Sequence, residues 1–434
     1  MKICILGDAT SIHVQRIAAG LARRGSVVRV LSHKRCDIAG VQVETFRVPR
    51  FGLRYPGRWR RRWSMYLRRI MSEHDIVHVH FLHDWGITSE IAGAGRLVVS
   101  PWGSDIVPPP DVQAYAEPEA RMRRRLLRMA RAVTVWGPAL ASATAAFAGL
   151  DPSDIDCVPL GVDPQRFHPR PRDADRPPTV GFLKGFRAVY GPEVLMRSIP
   201  RVLARMPSAR FELVGDGPLL GSCRDLARSL HVENAITWYD RQPHETVPDL
   251  IARWDLSAMP SVCESFGLAA LESLAMEVPV VASRVGGLPE TVRDGQSGLL
   301  VPVGDSDALA GAIVALLTDG PRCRAMGATG RRMVIRQYDW ESCLDRWEVV
   351  YRRVRREERA VRSTAWSSSR RRTPGLTPVA AGSPDRPDAE EDHQADNGKY
   401  GGSSKPRSPG PPGTIQARQH QQQVPGDSKQ HPPQ

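Results

Sequence analysis

Short apolar runs alternate along this chain with stretches in which apolar residues return every third or fourth position. Lys2 to Leu6 is the first run, and it ends in Gly7-Asp8-Ala9-Thr10-Ser11. Val14, Ile17, Ala18 and Leu21 then recur at helical spacing as far as Gly25, and Val27 to Leu31 is apolar again. Strand, loop, helix, strand is the opening unit of a parallel sheet covered by helices, whose buried strands read as continuous apolar runs. Ile76 to Val79, Leu97 to Val99 and Ala132 to Val135 continue the rhythm.

The rhythm stops near Val158-Pro159-Leu160-Gly161-Val162-Asp163, and the Pro- and Arg-rich stretch from His168 to Pro178 reads as a linker. A second α/β rhythm follows. Thr179 to Leu183, Phe211 to Val214, Leu256 to Met259 and Pro279 to Ala282 are expected strands, with helices over Val194 to Met206 and Leu219 to Leu230. The pattern predicts an α/β protein with two Rossmann-like, doubly wound domains, residues 1–170 and 171–337. Ligands are then expected in the cleft where the carboxyl ends of both sets of strands face each other. A last helix over 338–360 puts Trp340, Leu344, Trp347, Tyr351 and Val354 on one face behind Asp339 as N-cap, and is expected to pack on one of the domains.

From about Val361 the composition turns to Ser, Pro, Gly and Gln with almost no Ile, Leu or Phe. That is too little apolar surface to offset the entropy of ordering, so 361–434 is expected to be a disordered tail. The formal charge is +13, from 60 Lys and Arg against 47 Asp and Glu, and about +10 of it lies before the tail. Such a surface favours nucleotide phosphates, nucleic acid or acidic lipid headgroups without choosing among them. Seven scattered cysteines with no CxxC pair suggest neither a disulfide framework nor a zinc site. Met1 to Gly7 is cut short by Asp8 before it reaches the apolar length of a signal peptide, and no run approaches the ~18 apolar residues of a membrane-spanning helix. The expectation is a cytoplasmic protein, in solution or peripheral on the inner face of the plasma membrane.

Candidate chemistry is concentrated in residues 259–298. Leu268, Leu271 and Ala275 mark the buried face of a helix expected to begin near Ser265 or Phe266. Its early amides, Gly267 and Leu268 among them, lack intrahelical acceptors and suit a phosphate or an electron-rich leaving group. Glu264 just before the helix and Glu272 in its second turn reach different parts of one elongated ligand, and both are expected to be partly exposed in the cleft. Carboxylates accept bidentate hydrogen bonds from vicinal diols, as in sugars. Taken alone, E-x7-E also fits an ordinary helix with two solvated glutamates. The flanking Pro260-Ser261, Phe266-Gly267-Leu268, Pro279-Val280-Val281-Ala282-Ser283 and Val285-Gly286-Gly287-Leu288-Pro289-Glu290 change that balance.

This segment resembles the donor-binding signature of the family 4 retaining glycosyltransferases, which have the GT-B fold. Residues 158–169 are similar to that family's interdomain signature, Leu213 to Leu219 to its glycine turn, and Pro101-Trp102-Gly103-Ser104-Asp105-Ile106 to an acceptor-side motif. The resemblance implies a first domain facing the acceptor and a second binding the nucleotide sugar. Glu264 would hold hydroxyls of the transferred sugar, the Phe266-Gly267-Leu268 backbone would contact sugar and diphosphate, and Glu272 would bind the ribose. A basic pair on the diphosphate falls on Lys184 and then Arg187, although Phe182 stands in the usual Gly-Arg start. Gly215 and Gly217 belong to the glycine turn, and the base would be read at Asp240-Arg241-Gln242, largely by backbone atoms. On the first domain His80 fits the histidine placed near sugar and diphosphate; a merely packed or solvated His80 is the alternative. His13 and Asp105, with Asp8, are weaker acceptor-side candidates. Trp102 stands where relatives often have His, and Glu277 where they often have Gly.

The implied reaction is retaining transfer of a sugar from a nucleoside diphosphate, UDP before GDP, to an acceptor hydroxyl, with no cofactor and no metal. The chain shows no Asp-x-Asp suited to a metal on a diphosphate, and Lys184 with helix amides could take that part. Arg54 to Ile70 places Trp59, Trp63, Tyr66, Leu67 and Ile70 on one face with arginines around it, the pattern of a helix on an anionic membrane surface and equally of a core stripe. On the membrane reading the acceptor is a lipid-linked glycan or glycolipid. Met122, Leu126, Met129 and Ala130 look like core contacts. Two competing functions keep some of these features. A sugar-nucleotide 2-epimerase shares the architecture but not E-x7-E, and a basic nucleic-acid binder rests on charge alone, with no zinc finger or RNA-stacking motif.

Overall fold

The computed structural model describes residues 1–45, 65–66, 68–70, 72–82, 95–108, 114–171 and 175–370, with backbone alone for 359–370. Two parallel sheets organise it. The first contains β1 (Lys2–Leu6), β2 (Val27–Ser32), β3 (Gln42–Thr45), β4 (Ile76–His80), β5 (Leu97–Ser100), β6 (Ala132–Val135) and β7 (Ile155–Cys157), in the order β3-β2-β1-β4-β5-β6-β7. Its helices are α1 (Ile12–Arg23), α2 (Glu117–Met129) and α3 (Pro138–Ala148). The second contains β8 (Thr179–Leu183), β9 (Arg210–Val214), β10 (Ile236–Tyr239), β11 (Leu256–Met259), β12 (Val280–Ser283) and β13 (Gly298–Val301), in the order β10-β9-β8-β11-β12-β13. Around it lie α4 (Pro192–Arg205), α5 (Leu220–Ser229), α6 (Val247–Ile251), α7 (Leu268–Ala275), α8 (Leu288–Thr291), α9 (Ser306–Thr318) and α10 (Gly320–Gln337).

Every expected strand is present to within a residue at each end. Ile3 and Ile5 on β1, paired with β2 on one side and β4 on the other, are fully buried, as sheets covered on both faces require. β3, β7, β10 and β13 have no forecast in the sequence, and they are the four sheet edges.

The last helix, α11 (Trp340–Arg370), returns to the first domain although it follows the second in the chain. Leu344 packs on Gly20, Tyr351 Oη and His78 Nδ1 share a hydrogen bond of 2.6 Å, and Arg24 and Arg96 pair with Asp345 and Glu358 at 2.7 and 2.5 Å. Asp339 accepts the Ser342 amide at 2.9 Å as the expected cap. The helix is described as far as Arg370, ten residues past its expected end at 360; the rest of the expected tail, 371–434, lies outside the described residues.

Two surface readings change. Trp59, Trp63, Leu67 and the arginines at 58 and 60–62 lie outside the described residues, but Ile70 is buried and Tyr66 packs against the first-domain core, so that end of the stripe is core. Met129 is exposed rather than a core contact. No helix among the described residues is long and apolar enough to cross a membrane.

Glu277 has a physical account in the backbone. It follows α7 with φ of 59°, the Val278 amide donates to Ser273 O at 3.0 Å, and the Glu277 amide donates to Leu274 O at 3.1 Å. This is a Schellman cap, whose left-handed residue is ordinarily glycine.

Candidate active site

In each sheet the strand order reverses once, between β1 and β4 and between β8 and β11. Connections leave on opposite faces at such a point and open a crevice at the carboxyl ends of the strands. His80 ends β4 beside the loop after β1; Lys184 follows β8, and Glu264 lies in the loop after β11. The two halves touch. A Cβ on Gly103 would lie 2.6 Å from that of Ser265, the Trp136 and Phe266 rings are 6.2 Å apart, and Glu290 accepts the Ala139 amide at 2.5 Å.

On the second-domain side, Lys184 Nζ donates to Glu264 Oε2 at 2.5 Å and stands 4.9 Å from the centre of the Tyr190 ring. Only 13% and 10% of the two side chains are exposed. Burial pulls the Lys184 pKa down, but Glu264 beside it, with Tyr190 and Glu272, outweighs this, and the ammonium ends above its ordinary value. Gly215 and Gly217, both at positive φ, lie against the loop that holds this lysine. A Cβ would stand 2.1 Å from Lys184 O at the first and 2.5 Å from Phe186 O at the second. The Phe186 amide donates to Asp216 O at 2.9 Å, so the glycine turn seats the cationic loop. Arg187 and Arg241 are exposed.

α7 starts at Leu268, two or three residues later than expected, because Gly267 sits at φ of 92° and breaks the helical path. Phe266 turns its ring into the core between Trp136 and Tyr338, and its backbone lies against Gly287. Glu272 is 5% exposed, not partly open as expected: His244 Nε2 covers its Oε1 at 2.9 Å.

On the first-domain side, His80 is buried, with its ring 3.9 Å from that of His78 and neither ring nitrogen hydrogen-bonded. It is therefore not a solvated histidine. Burial, with His13 nearby, lowers its pKa to about 3, so the imidazole is neutral. His13 stands 5.4 Å from both Trp102 and Trp136, and burial together with Arg16, His244 and Lys184 lowers it to about 4. The shared electrostatics bring His13, His80, Lys184 and His244 around one cleft. Asp105 does not present its carboxylate there. It is fully buried and accepts the amides of Leu82, Trp102 and Gly103 at 2.8, 2.8 and 2.9 Å, which corrects its acceptor-side role to that of a loop tether; burial raises its pKa. Asp8 is likewise engaged, by Lys34 at 2.6 Å. Among the described residues no three His, Cys, Asp or Glu side chains gather as a metal ligand set.

Residues 10–166 match the family described as Glycosyltransferase Family 4, and residues 164–333 the one described as Glycosyl transferases group 1. The GDP-mannose-dependent alpha-(1-6)-phosphatidylinositol monomannoside mannosyltransferase of Mycolicibacterium smegmatis is 33% identical over 300 residues, 64% of this chain and 76% of that one. The chain belongs to the family 4 glycosyltransferases. The D-inositol 3-phosphate glycosyltransferase of Rhodococcus erythropolis is 34% identical over 221 residues, 48% of this chain and 50% of that one. Anabaena HepE in complex with UDP and glucose superposes with a TM-score of 0.67 at 20% identity, over 81% of this chain and 99% of that one. Sucrose-phosphate synthase from Thermosynechococcus elongatus does so with 0.68 at 21%, over 82% and 99%. At those identities the structures speak for the GT-B fold alone.

Two features of this glycosyltransferase escaped the sequence reading. His244 has no motif of its own, and only its place just after Asp240-Arg241-Gln242 hinted at it. The second is a buried chain beneath His80: Tyr351 Oη to His78 Nδ1, His78 Nε2 to Ser100 Oγ at 2.7 Å, and Ser100 Oγ to Thr134 Oγ1 at 2.5 Å. His78 and His80 are two apart on β4 and share a face, which the alternation signals, but the partner on α11 is 273 positions away.

Proposed function

We propose that this glycosyltransferase moves a sugar from a nucleoside diphosphate to a hydroxyl of a glycan or glycolipid, with retention at the anomeric carbon and without a metal ion. The observation that carries the reading is the nearly buried Lys184–Glu264 pair at the switch point of the second sheet, across the cleft from neutral His80. Lys184, Arg187 and the free amides at the start of α7 supply positive charge where the diphosphate leaves, the electrostatic help such a departure needs. Glu264 holds hydroxyls of the transferred sugar, and Glu272, oriented by His244, takes the ribose diol.

In the step itself the bond from the anomeric carbon to the phosphate oxygen breaks, and its electron pair stays on the phosphate. The acceptor oxygen bonds the same carbon from the same face, and its proton passes to the released phosphate oxygen. No protein nucleophile is required.

The relatives pull the donor base in two directions. The mannosyltransferase at 33% identity uses GDP-mannose, while the expected UDP has only fold likeness on its side, so GDP-mannose is the donor to try first. No relative reported above favours the epimerase or nucleic-acid reading. Calorimetric titration with GDP, UDP and ADP, with and without EDTA, followed by turnover of the matching sugar nucleotide, tests the proposal. Metal-independent binding of one nucleotide is expected; binding of none, or binding abolished by EDTA, overturns it.

A further inference from the structure

A hollow of about 220 Å³ opens between the domains directly beside Glu264. Its first-domain wall is Trp102, Val107, Leu140 and Ala143, and its second-domain wall includes Val189 and Tyr190. Among the described residues lining it, the sole charged side chain is Glu264, whose carboxylate is already bridged to Lys184. Tyr190 has Lys184 near its ring, and Trp102 joins the hollow to the aromatic cluster around His80 and His13.

We propose that this hollow receives the acceptor, and that the unit it receives is a neutral sugar ring laid with its C–H face on Trp102 and Tyr190. The inference rests on the glycosyltransferase reading and adds the acceptor class to it. The volume suits one pyranose ring. Aromatic and aliphatic walls beside a few polar groups are how proteins hold the apolar face of a sugar while fixing its hydroxyls. A ring bearing its own phosphate would instead bring a dianion against Glu264 with no cation among the described lining residues, and a charge taken out of water without a partner is costly. The hollow thus sides with an acceptor whose reacting unit is an uncharged glycoside and against a phosphorylated polyol ring such as the D-inositol 3-phosphate in the name of one relative.

Cys263 lines the same hollow and supplies a binding readout that needs no turnover. The full-length protein, saturated with whichever of GDP or UDP it binds, is alkylated with iodoacetamide, and Cys263 labelling is followed by peptide mass spectrometry. The probes are methyl α-D-mannopyranoside and D-myo-inositol 3-phosphate. The mannoside is expected to slow labelling at least fivefold and to accept sugar, and the inositol phosphate to do neither. Trp102→Ala should raise the KM for the mannoside at least tenfold with donor KM within twofold. Should that variant fail to fold, Val107→Arg at the exposed rim serves, and is expected to admit the inositol phosphate. Protection by the inositol phosphate in the unaltered protein, or turnover of donor with no protection by the mannoside, overturns the acceptor assignment and leaves the glycosyltransferase reading standing. Failure to bind either nucleotide removes both.

Discussion

The Lys184–Glu264 pair can be tested as a pair. Two unit charges at about 4 Å attract by ~4 kcal/mol at the effective dielectric of a partly wet site. Both side chains are roughly nine-tenths covered, so desolvation cancels part of that, and a net coupling of about 1–3 kcal/mol remains. Glu264→Gln keeps the shape and leaves the Lys184 ammonium without its anion; Lys184→Met does the converse. Each should cost about 2 kcal/mol, and the double variant clearly less than their sum. Urea unfolding of the nucleotide-free protein and its three variants measures the cycle, while transfer assays on the same preparations should show each single variant down by about 10²–10³. Because the Lys184 pKa is raised in the folded state, its contribution is complete below the unfolded lysine value and fades only as pH climbs through the folded one. The coupling should therefore be the same at pH 7 and pH 9. Additivity within about 0.5 kcal/mol would mean that the pair is not formed in solution. Normal transfer by both single variants would remove these residues from the site.

Four further outcomes follow from the geometry. Glu272→Ala should abolish donor binding, whereas His244→Ala should weaken it about tenfold, since it frees the carboxylate of its orienting partner; equal effects in calorimetry would deny His244 a secondary role. Glu277→Gly relieves a left-handed side chain and should stabilise by about 1 kcal/mol, read as a higher urea midpoint. Asp105→Ala removes the acceptor of three buried amides and should cost about 3 kcal/mol at one per bond; a melt unchanged from the parent would refute its tethering role. His80 is neutral when folded and protonates when unfolded, so acid favours the unfolded chain below about pH 6.5, by up to about 1.4 kcal/mol per unit. The decline of stability from pH 7 to 5 should be shallower in His80→Gln.

What the sequence disclosed follows a physical division. Central strands are covered on both faces and must be apolar throughout, as in Leu97 to Val99, so they stand out. The edges escape because one side faces water: Gln42–Thr45 has a single apolar residue, Ile155–Cys157 is three residues long and interrupted by Asp156, and Gly298–Val301 opens on a glycine. Glu264, Lys184 and His80 are singled out by their resemblance to family motifs, and each follows an apolar run that reads as a strand. Their mutual arrangement was not legible, since it depends on which strands neighbour one another and on how far each side chain is covered. Asp105 shows the cost of that gap. A carboxylate in a loop near the cleft reads as a ligand group until its three amide donors are seen.

The return of α11 ties these points together. A helix that follows the second domain in sequence supplies Tyr351 to the buried chain under His80, and supplies Glu341 and Asp345 to Arg24 at the end of α1. The first-domain side of the site is thus completed by a segment reached only after the second domain has been made. The two switch-point crevices then depend on one another. His80 rests on His78, His78 is held by Tyr351, and Tyr351 stands where it does because α10 delivers the chain to Asp339, whose neighbour Tyr338 donates to Glu290 O while Glu290 itself accepts the Ala139 amide. A change that loosens α11 should therefore disturb His80 before it disturbs Lys184 or Glu264. In kinetics such a change should lower turnover while nucleotide affinity, which the proposed function assigns to the second domain, stays as it was.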